Sequence, residues 1–214
     1  MKEKLADIRT DYMGEPLGIE DVAADPFDQF ENWFLEAQKA EVIEVNAMNL
    51  ATVGESGIPS SRIVLLKGFD KNGFVFYTNY QSSKGKDLEQ NAFAALNFFW
   101  PELHRQICIR GNVEKVSGDA STEYFQSRPK ASQIGAWSSP QSTVIKNRQI
   151  LEDRERQLTE KYKDQDVLPR PEQWGGYNVK PFIIEFWQGR PSRLHDRIVY
   201  SLSEDKWAIN RLAP

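Results

Sequence analysis

From Met48 to Gly118 the chain places short runs of β-branched and aromatic residues between turn formers, at 48–54, 60–69, 73–79, 92–100 and 105–117. Runs this short and this closely spaced pair antiparallel with their neighbours, because a parallel crossover needs a long connection. Asn72-Gly73 is the strongest hairpin signal, since both residues tolerate the backbone of a tight turn. Similar runs return at 181–188, 193–202 and 206–211, after a helical stretch. Strands on either side of helices can join one sheet. The chain therefore reads as mainly β (α+β), an antiparallel β-barrel with peripheral helices.

The helices have their own punctuation. Asp25-Pro26 offers an N-cap followed by proline at the first helical position, and Phe27, Phe30, Phe34 and Ala37 then form an apolar stripe to about Glu41. Ser82 caps a short helix that runs to Gln90 between two strands. Two further helices, 119–128 and 130–137, are broken at Arg128-Pro129, because proline biases its predecessor away from helical dihedrals. A longer helix is expected over 143–164 and a loop from Leu168 to Val179. Residues 1–24 read as a loosely held segment and 25–214 as a single domain.

Composition excludes several classes. The 214 residues carry a net charge of −4, which argues against a nucleic-acid coat or a membrane-surface protein, both of which rely on a positive field. Cys108 is the only cysteine, so an intramolecular disulfide and cysteine-rich metal sites are out. With two histidines and no HExxH, no metal site is expected. Charges scattered through the first residues and the lack of a long apolar run point to a soluble, cytoplasmic protein. There is no GxGxxG and no P-loop motif.

Against this negative balance, basic and hydroxyl residues recur at several places. On a strand, Arg193, His195 and Arg197 would stand on one face about 6.6 Å apart, lining a wall suited to an anionic or electron-rich ligand. An edge charged against aggregation explains the row equally well. Arg62 and Lys67 end a run of apolar residues and, five apart on a strand, would face opposite ways, suiting two phosphates rather than one. They can also simply flank a buried strand. Tyr124 and Arg128 share a helical face, and Pro129 would start a new helix, so that Ser132 can help form a phosphate cup. Ordinary helix punctuation is the alternative. Ser82-Ser83-Lys84 gathers hydroxyls and an ammonium at a helix start, and Gln141-Ser142 lies in a polar turn. His104 reads as a loop residue and Cys108 as a small core residue. A cleft for phosphorylated aromatic molecules, with Trp187 in its wall, accounts for the whole distribution.

These motifs, in this order, resemble the pyridoxine (pyridoxamine) 5′-phosphate oxidase family over nearly the whole chain. They are Arg62-Ile-Val-Leu-Leu-Lys67, Phe76-Tyr-Thr-Asn79, Ser82-Ser-Lys-Gly85, Arg105-Gln106, Arg128-Pro129 with Ser132-Gln-Ile-Gly-Ala-Trp137, Gln141-Ser142, and Glu185-Phe-Trp-Gln188 running on to Arg193-Leu-His-Asp-Arg197. The resemblance implies a homodimer of FMN-binding split barrels, with FMN at the interface, that oxidises pyridoxine 5′-phosphate or pyridoxamine 5′-phosphate to pyridoxal 5′-phosphate using O₂ and releasing hydrogen peroxide. It implies flavin contacts from Arg62, Ile63, Val64, Leu65, Leu66, Lys67, Tyr77, Thr78, Ser83, Lys84, Gln106, Gln141, Ser142, Trp187 and Arg197. It implies a vitamin phosphate held by Lys67, Tyr124, Arg128 and Ser132, a ring covered by Arg193 and His195, and a closing N-terminal segment that carries Arg9 and Tyr12. Arg193, His195 and Arg197 are the expected catalytic residues. One position departs: Ser83 stands where many relatives carry arginine, so one charged contact to the FMN phosphate is expected to be missing. Two other readings use the same cleft, a non-catalytic module that carries FMN or pyridoxal 5′-phosphate, and a split-barrel flavin reductase with a nicotinamide donor.

Overall fold

Asp25 starts the first helix as its sequence requires. Its Oδ1 accepts the Phe27 N–H at 2.8 Å, Pro26 occupies the first turn, and α1 runs over Pro26–Lys39. The structure is a computed structural model that describes residues 4, 7, 8 and 11–214. After α1 come β1 (Ala47–Val53), β2 (Pro59–Leu65), β3 (Gly68–Asp70), β4 (Gly73–Asn79), α2 (Ser83–Gln90), β5 (Phe93–Trp100) and β6 (Arg105–Lys115). Then follow α3 (Gly118–Ser127), α4 (Lys130–Ser138), α5 (Gln149–Lys161), β7 (Trp174–Gln188), β8 (Asp196–Ser203) and β9 (Lys206–Leu212). The strands form one sheet in the order β2-β1-β5-β6-β7-β4-β3, with β8 on β7 and β9 on β8. The pairings of β3 with β4, β4 with β7, β7 with β8 and β8 with β9 are antiparallel.

The chain divides into two compact units, and β1, β5, β6 and β7 each run from one into the other. The first unit holds the chain up to Leu50, Ala95–Gly111 and Pro181–Pro214. Its core is aromatic: Phe30 of α1 meets Phe98 at 5.3 Å, Trp33 meets Phe186 at 5.2 Å, and both Phe98 and Phe186 are fully buried. Burying each such ring is worth about 1.5–3 kcal/mol. The polar tips are satisfied too, Trp100 Nε1 donating to the Val45 carbonyl at 3.1 Å and the Tyr200 hydroxyl to that of Ala23 at 2.6 Å. The second unit holds Ala51–Ala94 and Asn112–Lys180. In it, Phe125, Ile134, Tyr162, Leu168 and Trp174 pack α3, α4 and the α5 end around the start of β7.

Four boundaries differ from the sequence reading. The run 60–69 is two strands, because the chain leaves β2 after Leu65; Leu66 is buried, and the Lys67 N–H donates to the Val75 carbonyl at 2.8 Å. Helix α5 starts at Gln149 rather than 143, where Asn147 Oδ1 accepts the Ile150 N–H at 3.4 Å. Strand β7 begins at Trp174, inside the expected loop. Gly175 and Gly176 read as loop residues, yet they pair with Thr78 and Tyr77. A Cβ on Gly175 would stand 2.1 Å from the Tyr80 hydroxyl, so the glycine is there for close approach rather than for a turn. Last, β8 begins at Asp196, not Arg193, since Pro191–Arg193 form a single tight turn with Ser192 at φ 57° and Arg193 at φ 61°.

Candidate functional site

A cavity of about 650 Å³ in the second unit draws its walls from five places in the sequence. The end of β2 supplies Ile63, Val64 and Leu65, and the link that follows supplies Lys67; β4 supplies Tyr77, Thr78 and Asn79, and α2 supplies Lys84. Tyr124, Arg128, Ser132 and Gln141 come from α3, α4 and their flanks, and Trp174 from the first position of β7. Each of these apart from Asn79 and Trp174 was a candidate from sequence. Asn79 ends a quoted motif, whereas nothing local marked Trp174, which the β4–β7 register sets opposite Asn79.

Three near-parallel rings build one wall. Tyr77 stacks on Tyr124 with centroids 3.9 Å apart, and Trp174 lies 5.5 Å from Tyr77 at an interplanar angle of 12°. The Arg128 guanidinium lies 4.7 Å from the Trp174 centroid, a cation–π contact. Arg128 is available there because α3 stops before it: its backbone is extended (φ −75°, ψ 151°) ahead of Pro129. The break is clamped by the buried Gln133 amide, which donates to the carbonyls of Gln126 and Arg128 at 3.2 and 2.8 Å and accepts the Leu168 N–H at 3.2 Å. Gln133→Leu keeps the volume and strips three backbone groups of a partner. It is expected to cost on the order of 3 kcal/mol in urea unfolding and to weaken the binding of an anion in this cavity through the displaced Arg128.

Charge in this cavity has one sign. Among the described residues, Lys67, Lys84 and Arg128 line it and no carboxylate does. Burial lowers the pKa of Lys84, with the nearby Arg62 charge adding to it, and burial likewise lowers that of Arg128, opposed by Tyr124. Burial raises the Tyr124 hydroxyl, and Arg128 opposes the shift. Arg128 Nη1 is buried, with no hydrogen-bond partner among the described residues. A desolvated cation with an unused donor is costly unless an anion completes it. Thr78 Oγ1 donates to Gln141 Oε1 at 3.4 Å, tying the segment after α4 to β4.

Four expected flavin contacts of this unit do not line the cavity. Arg62 is engaged beside it, donating to Thr52 Oγ1 at 2.6 Å and to Ser60 Oγ at 2.7 Å, while both hydroxyls donate to Asp87 Oδ2. Leu66 is in the core. Ser83 is the exposed first residue of α2, whose cap Ser82 accepts from the Gly85 N–H and from Lys84 Nζ. Ser142 sits in a left-handed turn at φ 66°.

The first unit has its own cavity, of about 890 Å³, which brings together Tyr12, Trp187, Arg190, Arg193 and His195. The Tyr12 ring meets Trp187 and His195 edge-on at 5.6 and 5.5 Å, and Trp187 lies 4.6 Å from His195. His195 Nδ1 accepts the Arg190 N–H at 3.1 Å, so in the neutral ring the proton is on Nε2. Burial and the Arg193 charge both lower its pKa. The left-handed backbone at Ser192 and Arg193, which costs about 1–2 kcal/mol per residue, is what turns Arg193 to this cavity. The expected three-residue row therefore fails as a strand face. Arg193 and His195 share a cavity from a loop, while Arg197, on β8, is not among its lining residues. Gln106 is not either; its Nε2 donates to Cys108 Sγ at 3.4 Å, and Cys108 donates to Asn97 Oδ1 at 3.0 Å. Arg9 lies outside the described residues.

The described part of the N-terminal segment is irregular in backbone yet tied down atom by atom. Met13 N–H donates to His104 Nδ1, Gly14 N–H to the Gly189 carbonyl and Leu17 N–H to Asp196 Oδ2. The same carboxylate takes Arg211 at 2.5 Å and Arg190 at 3.5 Å. Among the described residues no helix is long and apolar enough to cross a membrane.

Comparison with known proteins agrees with this geometry. A family model described as pyridoxamine 5′-phosphate oxidase matches residues 34–162, and one described as the pyridoxine 5′-phosphate oxidase C-terminal dimerisation region matches 174–214. The chain is 53% identical to the pyridoxine/pyridoxamine 5′-phosphate oxidase of Cytophaga hutchinsonii, with all of both chains covered. It is 55% identical to that of Burkholderia ambifaria over 98% of this chain and 99% of the other. PhzG from Burkholderia lata, solved with tetrahydrophenazine-1-carboxylic acid, superposes with a TM-score of 0.88 at 28% identity, over 94% of this chain and 99% of that one. The fold is thus the antiparallel split barrel with peripheral helices expected from the sequence.

Proposed function

The chain belongs to the pyridoxamine 5′-phosphate oxidase family, and we propose on that premise that it oxidises the 4′ carbon of pyridoxine 5′-phosphate or pyridoxamine 5′-phosphate to the aldehyde, pyridoxal 5′-phosphate. FMN is the cofactor, and when bound it supplies the two-electron acceptor that O₂ restores with release of hydrogen peroxide. The alcohol substrate uses one O₂ and gives one H₂O₂; the amine also uses water and gives ammonia.

The observation that carries this reading is that, among the described residues, the buried Nη1 of Arg128 has no partner and the cavity is lined by three cations and no carboxylate. That donor set fits a phosphorylated planar molecule, with the anion on the guanidinium and the ring against Tyr77, Tyr124 and Trp174. Arg128, Tyr124 and Ser132 would hold the vitamin phosphate, and Lys67 would serve both ligands. Lys84, Thr78, Gln141 and the 63–65 segment would hold FMN. The matched dimerisation region supports a homodimer; in it we assign FMN to the interface, with Arg62, Leu66, Ser83, Gln106, Ser142, Trp187 and Arg197 as further contacts. Arg193 would cap the substrate ring, with Arg9 and Tyr12 closing over it. His195 would donate its Nε2 proton to a ring substituent, and Arg197 would favour negative charge as the substrate is oxidised.

Incubating the purified protein with pyridoxine 5′-phosphate in air tests the reading, with aldehyde and peroxide expected in equal amounts. FMN and pyridoxal 5′-phosphate bound without turnover would leave the carrier reading in its place. The pH profile probes His195 separately. Because its pKa is lowered, the ring stays neutral below its ordinary value of 6.5, and the acid limb of kcat is expected below that pH. Protonation would put a hydrogen on Nδ1 opposite the Arg190 N–H. In His195→Asn, whose Oδ1 can accept that N–H without titrating, the limb should disappear.

A further inference from the structure

Arg197 is held more completely than the other described candidate cations of the first unit, Arg193 and His195. Its Nε donates to Glu185 Oε1 at 2.8 Å and its Nη2 to Glu185 Oε2 at 3.0 Å, a two-point fork, while Nη1 donates to the Ala213 carbonyl at 3.0 Å. The register explains the contact. Arg197 pairs across the ladder with Trp187, and Glu185, two residues before Trp187, lies on the same face, so the arginine reaches it diagonally. The Glu185 side chain has no other hydrogen bond or ion pair in the described structure, and it is only 15% exposed against 31% for Arg197. Of the five guanidinium N–H groups, three are used and two remain for a ligand. The hydrogen bond that Arg197 donates to Glu185 is also the main reason the Arg197 pKa is raised.

We propose that Glu185 is a positioning residue for Arg197: it fixes the plane of the guanidinium, leaves one edge of it for the flavin, and balances part of its charge. The inference rests on the role assigned above to Arg197 and goes one step behind it. A carboxylate with two oxygens on one guanidinium removes the rotation that a lone arginine retains, and preorganised charge acts on a reaction without reorienting during it. Its partner's charge is then a quantity set by this pair rather than by arginine alone.

The test is a double-mutant cycle on the FMN-loaded protein with two readouts, kcat for pyridoxine 5′-phosphate and the midpoint potential of the bound flavin. Glu185→Gln should retain FMN, move the potential, and lower kcat about tenfold with KM within about twofold, since the substrate phosphate is held elsewhere. In an Arg197→Met background the same change should produce no further loss and no further shift. Glu185→Asp, which keeps the charge, should recover part of both, and takes the place of Glu185→Gln in the cycle should the latter not fold. Unchanged kcat and potential in the single variant, or a loss that persists undiminished beside Arg197→Met, overturns the proposal. A wild-type protein that binds FMN but oxidises no vitamin phosphate overturns the reaction assigned above, and the potential then still decides the role of Glu185.

Discussion

Arg128→Ala should raise KM for pyridoxine 5′-phosphate about 100-fold while kcat stays within about threefold, because a charge-assisted contact to a phosphate is made equally in ground and transition states. The structure adds a second expectation. In the ligand-free protein this guanidinium is half-buried, with Nη1 buried and its donor unused, and its pKa is lowered by burial, so removing it relieves a cost. The cation–π contact with Trp174 is lost at the same time. The two roughly offset, and thermal unfolding of ligand-free Arg128→Ala should match the parent within about 1 kcal/mol. Arg128→Lys should recover part of the affinity only, since an ammonium lacks the planar fork. Steady-state kinetics and a melting curve check both halves, and a large loss of stability would make Arg128 a structural residue.

Arg197→Met is expected to lower kcat by about 10²–10³ with FMN still bound, the range found when one preorganised electrostatic group is removed from an active site. Here stability does not escape. The substitution leaves Glu185, mostly buried, facing a thioether, and an uncompensated carboxylate costs about 1–3 kcal/mol or takes up a proton. Arg197→Met combined with Glu185→Gln should recover most of that stability without recovering kcat. Comparing urea midpoints with turnover for the three variants separates the two contributions, and a kcat that follows stability across the set would deny Arg197 a direct role.

Much of the architecture was legible because its signals are local. Asp25-Pro26, Asn72-Gly73, Ser82 and Arg128-Pro129 each act within one turn of chain, and each sits at the boundary it announced. The misread boundaries share a cause: the deciding contact is distant in sequence. Gly175 and Gly176 look like a loop until Tyr77 and Thr78 pair with them, and nothing near Trp174 says that it will stack with Tyr77 and Tyr124. The strand extended through Arg193 fails because two left-handed residues without glycine run against local preference, which sequence reasoning does not anticipate. Of the site, the residue types were readable and their partition was not. Alternation put Arg193, His195 and Arg197 together, whereas the fork that Arg197 donates to Glu185 and the Pro191–Arg193 turn give Arg197 one set of partners and His195 another.

Asp196 receives Leu17, Arg190 and Arg211, which belong to the N-terminal segment, the loop before β8 and the last strand. Three stretches far apart in the sequence thus end on one carboxyl group, and the ordering of each lowers the entropic cost of ordering the others. Loosening any one of them loosens all three, so protease sensitivity near Leu17 and the definition of the His195 loop become a single cooperative property of the protein.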